Sequence, residues 1–177
     1  LARVTGDAEV HHVADVARIL VGNPEDWTIR EVGDGNLNVV FIVQAPMGGV
    51  AVKQALPYVR LVGESWPLPL TRAHYEHMAL SEQARLNGSL VPRVIHYDQL
   101  QALIVMELLE PHIIMRRGMI AATVYPKFAE DISSFMANTL FFTSDLALPA
   151  DRKKQMIAAF AGNTALCKIT EDLIFTD

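Results

Sequence analysis

The stretch VGDGNLNVVFIV, residues 32–43, sets two glycines, two asparagines and an aspartate into six positions and then turns abruptly apolar. Two residues are enough to turn one antiparallel strand into the next. A longer polar loop placed directly before a buried strand is either a generous surface turn or a backbone left bare so that something can sit against it. The order of the surrounding elements decides between the two.

On either side the sequence is β-rich. WTIREV (residues 27–32), VVFIV (39–43) and VAVKQA (50–55) are short runs of branched and apolar residues, divided by the glycine-bearing loop and by APMGG. They predict an antiparallel meander of three strands. Upstream, Val10, Val13, Ala17 and Leu20 fall at helical spacing until Gly22, Asn23 and Pro24 stop the pattern, which predicts an amphipathic helix over residues 7–21. Downstream, TRAHYEHMALSEQARL (71–86) consists of good helix formers, with Thr71 as N-cap and Asn87-Gly88 as stop. RVIHYD (93–98) and ALIVMELL (102–109) predict two further strands. Beyond Pro111 the pattern becomes helical: Phe128, Ile132, Phe135 and Met136 share a face after Pro126, and Met156, Ile157 and Phe160 share another after Pro149. The expected class is α+β. A five-stranded antiparallel sheet with a helix fills residues 1–109, a linker covers 110–118, and 119–177 begin an incomplete helical lobe.

Composition narrows the function. The chain has 177 residues, 51% of them hydrophobic, and a formal charge of −5, enough for a real core. Its Lys and Arg are scattered, unlike a surface that must neutralise many phosphates, so no nucleic-acid partner is expected. The apolar run ALIVM is closed at once by Glu107, far short of the roughly 18 residues a membrane span needs, so no membrane partner is expected either. The N-terminus lacks a secretory pattern, and the single cysteine, Cys167, cannot form an internal disulfide, which points to a reducing cytoplasm. With no pattern around it, Cys167 reads as a small apolar packing residue. The chain starts at Leu1, not at methionine, and is expected to be a piece of something longer.

Strand, glycine-rich loop, strand, and then a lysine inside the next strand form a phosphate-binding layout. Glycines let main-chain N–H groups approach anionic oxygens, and a lysine from a neighbouring strand supplies a fixed positive charge. The candidates are Gly33, Asp34, Gly35, Asn36 and Asn38 in the loop, with Lys53 in VAVKQ. Asn38 takes the third position of a Gly-x-Gly-x-x-Gly pattern, where asparagine best tolerates left-handed geometry. Lys53 is flanked by apolar residues, so it needs a partner. Glu76, midway along the expected helix and near Ala73, Ala79 and Leu80, is preferred over Glu82, which lies near the helix end beside Gln83 and Arg85.

With these residues in place the chain resembles the protein-kinase-like fold, and more closely its branch of choline and aminoglycoside kinases. Within that branch VGDGNLNVVFIV, VAVKQALPYVR, RAHYEHMALSEQARL, VPRVIHYD and HIIMRRG, in that order, are similar to the 5-methylthioribose kinase family. The resemblance implies ATP and Mg²⁺ as cofactors, 5-methylthioribose as the phosphoryl acceptor at its 1-hydroxyl, and a homodimer. It matches MELLE to the segment joining the lobes, so Glu107, Leu108 and Leu109 would read the adenine edge, while the same residues also read as the end of a core strand. It puts Arg116 and Arg117 near the cleft, where a solvated or helix-pairing role is equally open.

Other signals carry no site. His74 and His77 flank Glu76 without forming His-Glu-x-x-His, and no third ligand is evident. His11, His12, His96 and His112 read as surface or hydrogen-bonded residues. A kinase of this type needs a catalytic aspartate and an acidic Mg²⁺-binding motif. Asp131, Asp145, Asp151, Asp172 and Asp177 stand in no such context, so no catalytic residue and no metal ligand is assigned in this chain. The alternative is a non-catalytic nucleotide-binding or protein-interaction module of kinase-like fold.

Overall fold

The computed structural model describes residues 23–33, 35, 37–46, 48–60 and 63–176. The helix expected over 7–21, with His11 and His12, and the loop residues Asp34 and Asn36 lie outside the described residues. A short 3-10 turn at Pro24–Asp26 leads into β1 (Thr28–Glu31), β2 (Asn38–Ala45) and β3 (Gly48–Ala55). After β4 (Tyr58–Val59) and β5 (Gly63–Pro67) come α1 (Arg72–Asn87), β6 (Val94–Asp98) and β7 (Leu103–Glu107). Four helices follow: α2 (Met115–Ile120), α3 (Phe128–Phe142), α4 (Ala150–Phe160) and α5 (Thr164–Phe175). The fold is α+β.

The five main strands form one antiparallel sheet in the order β1-β2-β3-β7-β6. Its two faces follow from strand alternation. On one face Val39, Phe41, Val43, Val50, Val52, Leu103 and Val105 bury together with Leu56, and Trp27, Tyr58 and Ile95 pack against them. On the other, Lys53 lies between Ala51 and Ala55, with Ile104 as its cross-strand partner on β7. Ala55 packs there with Ala73 of α1 and with Ala102. The register therefore puts the lysine on the helix-covered face.

The β4–β5 pair was not expected. Pro57, Gly63 and Pro67 punctuate that stretch like a loop, yet Tyr58 pairs with Pro67 and Val59 with Gly63, through an irregular register. Thr71 is not the side-chain cap expected of it. The chain is already turning at Pro69, where Arg72 N–H donates to the Pro69 carbonyl and Ala73 N–H to that of Leu70. Thr71 thus has helical angles and its hydroxyl makes no cap bond. At the other end α1 stops at Gly88, whose φ is +55°.

α1 also meets the helices that follow. Asn87 Nδ2 donates to Thr139 Oγ1 on α3 at 2.9 Å, and the Tyr75 ring lies 6.4 Å from that of Phe160 on α4. Phe141 and Phe142 contact each other edge to face and remain exposed, as does Cys167. Among the described residues, no helix is long and apolar enough to cross a membrane.

Candidate functional site

Lys53 enters from β3 and Glu76 from the second turn of α1. Lys53 Nζ donates to Glu76 Oε1 at 2.5 Å, with the two side chains 25% and 33% exposed. The carboxylate thus holds the lysine head at the helix-covered face, and part of the lysine side chain stays accessible. Glu82 is committed elsewhere: it takes two bonds from Arg85, at 2.5 and 3.0 Å, which hold its carboxyl below the usual range. Glu82 and Arg85 line a groove of about 790 Å³ between α1 and α4, whose lining includes neither Lys53 nor Glu76.

The glycine-rich loop closes at its base where Val32 N–H donates to the Val40 carbonyl at 2.8 Å. Its two described glycines differ. A Cβ on Gly33 would meet nothing within 4 Å, whereas one on Gly35 would stand 2.8 Å from the carbonyl oxygen of Asn38. Gly33 is therefore the open position, and Gly35 is bare because the loop's own backbone folds against it. Asn38 is the first residue of β2, paired with Ala55.

Arg72, to which the sequence reading gave no role, sits behind this loop at 4% exposure. Its Nη2 donates to the Leu37 carbonyl at 2.5 Å and its Nη1 to the Pro69 carbonyl at 3.0 Å. Burial lowers the guanidinium pKa from its usual value, and the Glu76 carboxylate pushes it back up. The signal in the sequence was spacing: Arg72 and Glu76 are four apart, hence on one helix face.

Of the hinge candidates, Glu107 turns its carboxylate back to the sheet, accepting from the Arg93 N–H at 3.1 Å. Leu108 lies over β3, where its Cδ2 would be 2.7 Å from a Cβ on Gly49. Leu109 is exposed. Beside them Gln44 Nε2 donates to Glu110 Oε1 at 3.0 Å, tying β2 to the segment after β7. Arg116 and Arg117 are exposed on α2.

His74 and His77 belong to an aromatic cluster. The His77 ring stacks on Tyr97 of β6 at 4.5 Å, and His74 lies 6.2 Å from the same ring. Among the described residues no group of three or more His, Cys, Asp or Glu side chains is placed to hold a metal ion. Burial, and then the neighbouring His74, lower the His77 pKa from its usual 6.5. The unfolded chain consequently takes up this proton first, so stability is flat above the usual value and declines as pH falls below it, until the folded chain binds the proton as well. His77→Phe keeps the stack on Tyr97 and is expected to flatten that decline, read as urea midpoints between about pH 7.5 and about pH 5.5. An unchanged pH slope would remove His77 as its source.

No family model matches the chain. Curated relatives do. The chain is 52% identical over 157 residues to methylthioribose kinase of Escherichia coli O45:K1 (strain S88), a match covering 88% of the chain and 38% of the relative. It is 45% identical over 163 residues to methylthioribose kinase 1 of Oryza sativa subsp. japonica, covering 92% and 38%. With methylthioribose kinase of Exiguobacterium sibiricum the identity is 49% over 158 residues, covering 89% and 40%. The chain thus spans about two fifths of the length of these relatives. Over the part it spans, the chain is similar to the methylthioribose kinases at 45–52% identity.

Proposed function

We propose that this chain supplies the nucleotide-binding part of an ATP-dependent kinase that phosphorylates the 1-hydroxyl of 5-methylthioribose. The observation that carries the reading is the Lys53–Glu76 pair, which joins β3 to α1 on the sheet face next to the glycine-rich loop. The names of the relatives supply the acceptor. On this reading Lys53 donates to phosphate oxygens of ATP, Glu76 keeps the ammonium aimed, and the glycine-rich loop brings backbone N–H groups to the same anion. Glu107, Leu108 and Leu109 hold the adenine edge. Residues 1–109 form the nucleotide lobe, 110–118 the linker and 119–177 the start of a helical lobe.

In the overall reaction the γ-phosphoryl group moves to the sugar oxygen, the hydroxyl proton passes to a base outside this chain, and ADP leaves. Mg²⁺ would neutralise charge on the ATP phosphates, and its ligands are expected outside this chain, a reading supported by the family resemblance. The whole protein is, on the same reading, a cytoplasmic homodimer, supported by the family resemblance.

Calorimetric titration of the 177-residue chain with ATP tests the reading. ATP is expected to bind, and Lys53→Ala to weaken it by about tenfold or more, as befits a charge-assisted bond. Equal affinity in the variant would overturn it.

A further inference from the structure

Two elements meant for one anion have to keep a fixed distance from each other. Lys53 is held from α1 by Glu76, and the glycine-rich loop is held from the same helix by a different residue. Arg72 lies one turn before Glu76 and grips the Leu37 carbonyl at the loop's outgoing leg while its other arm takes the Pro69 carbonyl at the helix entrance. A planar guanidinium, with donors on two rigid arms, is preorganised to hold carbonyls on two segments at once. Burying it to 4% exposure is costly, and surface solubility does not require it.

We propose that Arg72 is a positioning residue for the phosphate-binding loop. By holding Leu37 it sets the loop's height above Lys53, so α1 presents loop and lysine to the nucleotide phosphates as one unit. The proposal rests on the nucleotide reading above. It makes the first two turns of α1 a coupling element: a displacement of the helix moves the Lys53 ammonium and the loop backbone together. A ligand carrying phosphates senses that geometry. A bare nucleoside, which reaches only the hinge, does not.

The experiment compares the wild-type chain with Arg72→Gln, which loses the charge and the fork, and Arg72→Lys, which keeps the charge alone. Amide hydrogen exchange is followed over residues 32–40 without nucleotide, and affinities are measured for ATP and for adenosine. Arg72→Gln is expected to speed exchange in 32–40 while β3 and β7 stay protected, and to weaken ATP by about tenfold with adenosine unchanged, in line with loss of a charged hydrogen bond. Arg72→Lys should fall between the two. Unchanged loop exchange overturns the proposal, and so does an equal loss for ATP and adenosine, which marks a merely structural role. If Arg72→Gln unfolds, seen as fast exchange in β3, the Lys variant decides by the same comparison. If the wild type binds neither ligand, the nucleotide reading fails and the phosphate role with it. Faster loop exchange would then leave Arg72 an anchor only.

Discussion

Leu103→Ala is expected to lower the unfolding free energy by about 3 kcal/mol, the usual cost of a large-to-small change that leaves a cavity in a core. Leu103 is 2% exposed, in β7 between Gln54 on β3 and Asp98 on β6. It closes the cluster formed by Val39, Phe41, Val43, Val50, Val52, Leu56 and Val105. Backbone pairing on both sides prevents the strand from collapsing into the space, so the cavity term persists. The measurement is a urea midpoint that falls while the slope stays constant. Leu100, three residues earlier and 86% exposed, is the control, and Leu100→Ala should stay within about 0.5 kcal/mol of wild type. Equal effects at the two positions would contradict the assignment of this sheet face as the core.

The second large effect falls on the loop. Gly35→Ala places a methyl 2.8 Å from the Asn38 carbonyl oxygen, a backbone atom at the start of β2 that cannot swing aside as a side chain would. The loop must shift, and ATP affinity is expected to fall by about tenfold, equivalent to about 1.4 kcal/mol. Gly33→Ala meets nothing of the chain within 4 Å and should leave the fold nearly unchanged. The contrast in stability between two glycines two residues apart is the content of the prediction. Urea midpoints of the two variants check it, with Gly35→Ala expected the lower, and equal midpoints would contradict it.

Much of this arrangement was legible in the sequence. The five strands of the sheet and α1 announced themselves by branched runs and by helix formers bounded by Pro, Gly and Asn, because strand alternation and helix stops act locally. The pairing of Lys53 with Glu76 was read from the residues themselves: a lysine flanked by apolar strand residues needs a partner, and Glu76 lies midway along the helix whereas Glu82 lies near its end. What stayed hidden depends on tertiary context. The β4–β5 pair is two residues long on one side and broken by proline and glycine, so no periodicity survives in it. Thr71 reads as a cap only if the helix starts after it, and the turn at Pro69 starts it earlier. Arg72 looks like an ordinary polar residue in the first turn of a helix. Its burial depends on a loop 35 residues away in sequence. The two glycines of the loop are equivalent on paper and are separated only by where the Asn38 carbonyl falls.

The central claim is that the loop backbone and the Lys53 ammonium converge on one phosphate-bearing ligand while Glu76 holds the lysine. A crystal structure of the chain grown with ADP tests it most directly. The account predicts a phosphate oxygen within about 3 Å of Lys53 Nζ, the glycine-rich loop over the phosphates and the Glu76 contact retained. ADP seated elsewhere, with the Lys53 ammonium turned to bulk water, would contradict it.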